Sequence, residues 1–194
     1  TSTFGWERTK EHIHDFIKKP STRQVNDRAH LEQFAHQNQW PKSVVQVNRS
    51  SNTPRIKTVV GGYEFALTAY DTDHSERGFD QRWELRVQGE ALPRDIELIQ
   101  EYFASNLDKA LGKNDHSIGD PIFDKPAYAS GDKVRLTALM NEKTRELVVN
   151  FFRAGGKLEK GVLRMTEKPN ERPSLNELQG RLSLILALAD QLSR

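Results

Sequence analysis

Ile56-Lys57-Thr58-Val59-Val60-Gly61-Gly62-Tyr63-Glu64-Phe65-Ala66-Leu67-Thr68-Ala69-Tyr70 is the stretch on which the fold turns. Two runs rich in β-branched and aromatic residues flank a glycine pair. Glycines accept the positive φ angles of a tight hairpin turn, so the stretch predicts two antiparallel strands. Downstream, residues 81–88 alternate cleanly: Trp83, Leu85 and Val87 share one face, and Arg82, Glu84 and Arg86 share the other. A period of two with one apolar set predicts a sheet that meets a core on one side and water on the other. Residues 71–80 between these segments read as a polar connection. Residues 43–47 add a short β-branched strand, and 48–54, rich in Asn and Ser, form a loop.

Helical spacing surrounds this sheet. Residues 6–18 predict a first helix with Trp6, Ile13, Phe16 and Ile17 as its stripe, and Pro20 ends it. Asn26 or Asp27 is the expected cap of a second helix reaching about Gln39, with Leu31, Phe34 and Ala35 buried. Both helices carry few large apolar residues and must dock on something. Residues 92–112 admit a helix through Ile96, Ile99, Phe103, Leu107 and Leu111, or a strand at 96–99 followed by a helix; the spacings of three and four favour the helix. Residues 123–130 read as extended, 134–140 as a short helix, and 141–152 as a further helix stopped by Gly155-Gly156. Residues 158–166 read as one strand. The last helix opens on Ser174-Leu175-Asn176-Glu177, a capping box, and carries Leu175, Leu178, Leu182, Ile185, Ala189 and Leu192 at steps of three and four. Leu184, Leu186 and Leu188 widen that stripe over most of the girth, which makes them a candidate partner surface or homodimer seam.

The expected fold class is therefore α+β: a largely antiparallel sheet with helices packed on one face. Residues 1–40 form an N-terminal helical extension and 41–194 the core domain. At 194 residues, with 36% hydrophobic and 29% charged, the chain fits a soluble globular domain and neither a disordered segment nor a membrane bundle. No cysteine is present, which removes disulfides, thiolate nucleophiles and Cys-ligated zinc. The chain does not start with Met, as expected of a processed product or an excised piece. The net charge of +2 conceals an asymmetry: residues 1–60 hold ten Lys/Arg against five Asp/Glu. A basic arm including Lys18, Lys19, Arg23 and Arg28 could face nucleic acid or anionic lipid, although incidental charge on a solvated helical arm is the simpler account.

The patterns that would name an enzyme class are missing: no phosphate loop, nucleophile elbow, His-Glu-x-x-His or dinucleotide fingerprint. No cofactor signature is present. His12 and His14 project about 200° apart on a helix and cannot share a metal. Asp71-Thr72-Asp73-His74-Ser75-Glu76 concentrates hard ligands but lacks the glycine and terminal acid of a calcium loop. The richer cluster runs from Asp115 to Asp124. Asp120, Asp124 and His116 could form an acid–base or metal set in a hydrolase or transferase. The competing reading makes the two aspartates turn formers and caps, with Phe123 as anchor. Arg82, Arg86 and Arg94 lie near Trp83 in sequence, but Trp83 points to the opposite face, which makes a weak nucleic-acid platform.

Gly119-Asp120-Pro121-Ile122-Phe123-Asp124, followed by an extended segment, Gly131-Asp132, a helix and Lys143-Thr144-Arg145, resembles a group of bacterial proteins with a Gly-Asp-x-x-Phe-Asp signature. The likeness extends back through Gly62, Trp83 and Leu92-Pro93 and covers about residues 40–192. The resemblance implies a bacterial source and, because the domain often follows a membrane segment in that group, a tether outside this sequence. It brings no activity, substrate or catalytic residue. The resulting expectation is a non-catalytic binding module that recognises a protein partner or small ligand, in the cytoplasm or tethered to a bacterial membrane. The alternatives are metal-assisted chemistry at Asp120, Asp124 and His116, and weak nucleic-acid or lipid binding by the basic arm.

Overall fold

The computed structural model describes residues 20–48, 51–74, 78–100 and 116–194. Helix α1 (Thr22–Gln37) leads through a 3-10 turn (Lys42–Val44) into β1 (Val45–Val47), β2 (Pro54–Val60), β3 (Tyr63–His74), β4 (Gly78–Gln88) and β5 (Glu97–Gln100). A single helical turn, α2 (Pro121–Asp124), precedes β6 (Ala127–Ser130), α3 (Lys133–Leu139) and α4 (Glu142–Arg153). The hairpin β7 (Gly156–Glu159) and β8 (Val162–Thr166) then leads to α5 (Leu175–Leu192). The strands form one sheet in the order β1-β2-β3-β4-β8-β7-β5-β6, every neighbouring pair antiparallel. The fold is α+β, as expected.

The glycine pair makes its turn as the sequence predicts, with φ of 59° at Gly61 and 87° at Gly62. Once that register is set, period-two patterning does the rest. Phe65 faces Val87, Val87 faces Leu163, Leu163 faces Leu158, Leu158 faces Leu98 and Leu98 faces Ala129. This row crosses six strands and is 2% exposed or less throughout. A parallel row of Ile56, Leu67, Leu85 and Met165 is fully buried. Onto these rows α1 lays Leu31 and Phe34, α4 lays Val148, Phe151 and Phe152, and α5 lays Leu178, Leu182, Ile185 and Leu188. The α4 helix approaches β7 so closely that a Cβ at Gly156 would stand 2.5 Å from the Phe151 ring, so only glycine fits there. An edge-on contact of His30 with Trp83, and the sequence of Phe34 edge-on to Trp40 and Trp40 tilted on Phe65, tie α1 to the sheet. A buried polar link adds to them: Asp27 in α1 accepts from the Gln81 amide and from Arg172. Burial raises the Asp27 pKa, against the pull of Arg172 and Gln81.

Several elements differ from expectation, each for a local reason. Residues 97–100 form a strand, not the start of a helix; Ile96 and Leu98 are both fully buried, and pairing with β6 and β7 overrides the three-and-four spacing. The remainder of that expected helix lies outside the described residues, as does the expected helix at 6–18. Within 123–130 the strand begins only at Ala127, because Asp120 and Pro121 start a helical turn first. Residues 158–166 are a hairpin, since Lys160 and Gly161 adopt φ of 53° and 74°. The polar stretch at 71–80 is paired backbone, with Asp71 opposite Gln81 and Thr72 opposite Asp80. Ser21, not Asn26 or Asp27, caps α1, through a capping box with Gln24. That helix contributes Leu31 and Phe34 to the common core. No helix among the described residues is long and apolar enough to cross a membrane.

Alternation along β3 gives a direct check. Leu67→Ala is expected to cost about 2–5 kcal/mol in urea unfolding, whereas Thr68→Ala, one residue on and facing away, should stay within about 0.5 kcal/mol.

Candidate functional site

The acidic loop is built around α2. Asp120 is its N-cap and accepts from the Ile122 backbone N–H at 2.9 Å. Its second oxygen lies 3.0 Å from Arg145 on α4. Asp124 accepts from the Ser117 hydroxyl at 2.7 Å and from the N–H groups of Ile118 and Gly119 at 3.0 Å each. Partial burial pushes the Asp124 carboxyl up, but these hydrogen bonds, with a further one from the Asp120 N–H, outweigh it and hold the pKa below the usual aspartate value. The His116 side chain is directed elsewhere, its Nε2 2.9 Å from the Gly131 carbonyl oxygen, while its backbone N–H donates to the Ala129 carbonyl oxygen at 2.8 Å. Phe123 is 1% exposed and anchors the turn. The oxygens that would bind a metal or move a proton are thus committed to caps and turns. Among the described residues no three His, Asp or Glu side chains stand close enough to hold a metal ion.

The other sequence candidates fall as follows. Leu188 is fully buried and belongs to the core, which corrects its assignment to a partner surface. Leu184 and Leu186 are half-buried and pack against that core. In the basic arm, Arg28 pairs with Glu32 at 2.8 Å and Arg23 with Asp71 at 3.8 Å, while Lys18 and Lys19 lie outside the described residues.

The arrangement that sequence reading missed is on the sheet's second face. The described helices pack on the Trp83 face, and the opposite face of β2, β3, β4, β8 and β7 carries Arg55, Lys57, Arg82, Arg86, Arg164 and Lys157. The register aligns four of these in one row: Lys57 faces Ala66, Ala66 faces Arg86, Arg86 faces Arg164, and Arg164 faces Lys157. Glu84 lies 3.9 Å from Arg86, and Glu159 lies 3.3 Å from Lys157. Hydrogen bonding and charge from Lys157, with the field of Arg164, lower the Glu159 pKa. Arg164, at the centre, has no ion-pair partner among the described residues, and its Nε is shielded from solvent without an acceptor. Tyr70 shares this face; burial first, then Glu84, raises its pKa, while Arg82 and Arg164 act against them. The signal in the sequence was the presence of Arg82, Arg86, Lys157 and Arg164 on alternate strand positions. Only the strand order reveals that they adjoin.

The loop reading yields a pH prediction. A carboxyl whose folded pKa is depressed adds stability that is present above its unfolded pKa and is lost as pH falls through the folded value. Asp124→Asn should therefore cost about 1–3 kcal/mol at pH 7, and the gap from wild type should narrow as urea titrations move below about pH 4. A pH-independent gap would contradict the role assigned to its charge.

No family model matches the chain, and no curated protein or solved structure matches it either.

Proposed function

We propose that the protein is a non-catalytic binding module whose ligand surface is the open face of its sheet, and that the ligand it recognises carries negative charge. The observation that carries this reading is the row of Lys57, Arg86, Arg164 and Lys157 across five strands. Like charges placed directly opposite one another weaken strand pairing. Beyond its field on Glu159, Arg164 stands between two other cations at a cost to pairing, and an incoming anion would gain from all three. The acidic loop supports the same reading from the other side, since Asp120 and Asp124 are engaged by Arg145, Ser117 and backbone N–H groups. A rigid sheet also suits recognition, because cations held in register lose less freedom on binding than cations on a loop.

The test is thermal unfolding of the chain against anionic, neutral and divalent-metal ligands. An anion present at 100 times its dissociation constant should add about 2.7 kcal/mol, or roughly 5–10 °C for a chain of this size. The effect should shrink as salt shortens the screening length from about 10 Å towards 3 Å. Stabilisation by metal ions alone, abolished in Asp120→Asn/Asp124→Asn, would instead assign the function to the acidic loop.

A further inference from the structure

We propose that Arg86, Arg164 and Lys157, with Lys57 at the flank, form a binding site for the phosphoryl group of a small phosphorylated molecule. This rests on the open face being the ligand surface and specifies what that face holds. Residues directly opposite on neighbouring antiparallel strands have Cβ atoms about 5 Å apart. The side chains of Arg86, Arg164 and Lys157 are therefore long enough to converge on a single anion above β8. Lys57 stands two strand spacings from Arg86, roughly 10 Å away, within reach of a second anionic group on the same ligand.

Two features select a compact dianion. The first is Arg164 itself. Its neighbours each have a carboxylate close by, Glu84 for Arg86 and Glu159 for Lys157. No carboxylate stands within ion-pair distance of Arg164 among the described residues, although its field reaches Glu159, and its Nε–H, like that of Arg55, is withdrawn from solvent with nothing to donate to. A guanidinium presents a planar fork of donors that fits the oxygens of a phosphate, and charge-assisted bonds of this kind are the strong ones. The second feature is the narrowness of the positive strip. On one side of the cationic row lie Arg55, Thr68, Glu84 and Thr166; on the other lie Val59, Glu64, Gln88, Val162 and Glu159. Same-face residues along a strand are about 6.8 Å apart, which is less than the roughly 8 Å screening length at physiological salt. A nucleic acid or acidic membrane laid over the face would meet these carboxylates. A ligand the size of one or two phosphoryl groups sits on the row and avoids them.

The experiment is titration of the full chain with inorganic phosphate and pyrophosphate, following the Arg side-chain Nε–H resonances by NMR and affinity by calorimetry. The expected result is saturable binding of pyrophosphate that moves the Arg164 Nε–H resonance. In Arg164→Gln, checked for folding by near-ultraviolet circular dichroism, affinity should fall at least about tenfold. Arg55→Gln, on the same face but outside the row, should leave it unchanged. Unaltered affinity in Arg164→Gln, or pyrophosphate binding that leaves the Arg164 resonance in place, would overturn the proposal. So would a short single-stranded oligonucleotide or a phosphoserine peptide that binds more than about tenfold tighter than pyrophosphate. If an oligoglutamate peptide shifts the same resonances and neither phosphate does, the phosphoryl assignment fails while the open face stands as the ligand surface. If none of these anions binds, both readings fail together.

Discussion

One-sided burial of β2, β3, β4, β8 and β7, in an antiparallel sheet whose edge strand β6 is buried on both faces, is the constraint on which the rest of the structure depends. The row from Phe65 through Val87, Leu163, Leu158 and Leu98 to Ala129 crosses six strands with almost no exposure. Every described helix with a buried face spends it on this row or on the rows beside it. Because side chains alternate along a strand, a shift of one residue would exchange the buried set for the charged one, so the register is strongly fixed. The glycine turn at 61–62 and the close approach of Phe151 to Gly156 serve that register at two points.

Where the sheet is buried on one side, from β2 to β7, the composition of the other side is comparatively free. Mixed charge with opposite signs facing each other would be the arrangement that helps folding. Here Glu84 and Glu159 partly fill that role, yet Arg86, Arg164 and Lys157 stand in immediate succession across three strands. Positions that break a local rule for stability without a visible compensation are where function is to be sought. The acidic loop, by contrast, breaks no such rule. Asp120 caps a helical turn begun by Pro121, and Asp124 gathers the N–H groups of the chain that curls around it.

The fold was legible in the sequence where one local signal sufficed. The hairpin at 61–62, the alternation of Trp83, Leu85 and Val87, and the capping box at Ser174 and Glu177 each state their structure within a few residues. Reading failed where tertiary pairing decided the outcome. Residues 96–100 fit either period, and only neighbours from β6 and β7 make them a strand. Lys160 turns through a positive φ that its side chain does not advertise. Ser21 was overlooked as a cap in favour of Asn26 and Asp27, although Gln24 stands at the right offset. The cationic row was beyond reach for a deeper reason. Its members come from β2, β4, β8 and β7, and the joining of β4 to β8 across about 75 residues of chain is a topological fact that no short motif encodes.

The central claim is that the cationic row is held for a ligand and not for the fold. The most direct test is the urea stability of the unliganded chain in which Lys57, Arg86, Arg164 and Lys157 are all replaced by Gln, measured beside wild type at low salt. Relief of two directly opposed like-charge pairs offsets loss of the exposed Glu84–Arg86 and Glu159–Lys157 pairs, which predicts a variant within about 1 kcal/mol of wild type. A loss of about 2 kcal/mol or more would mean that the row supports the structure, and would contradict the account.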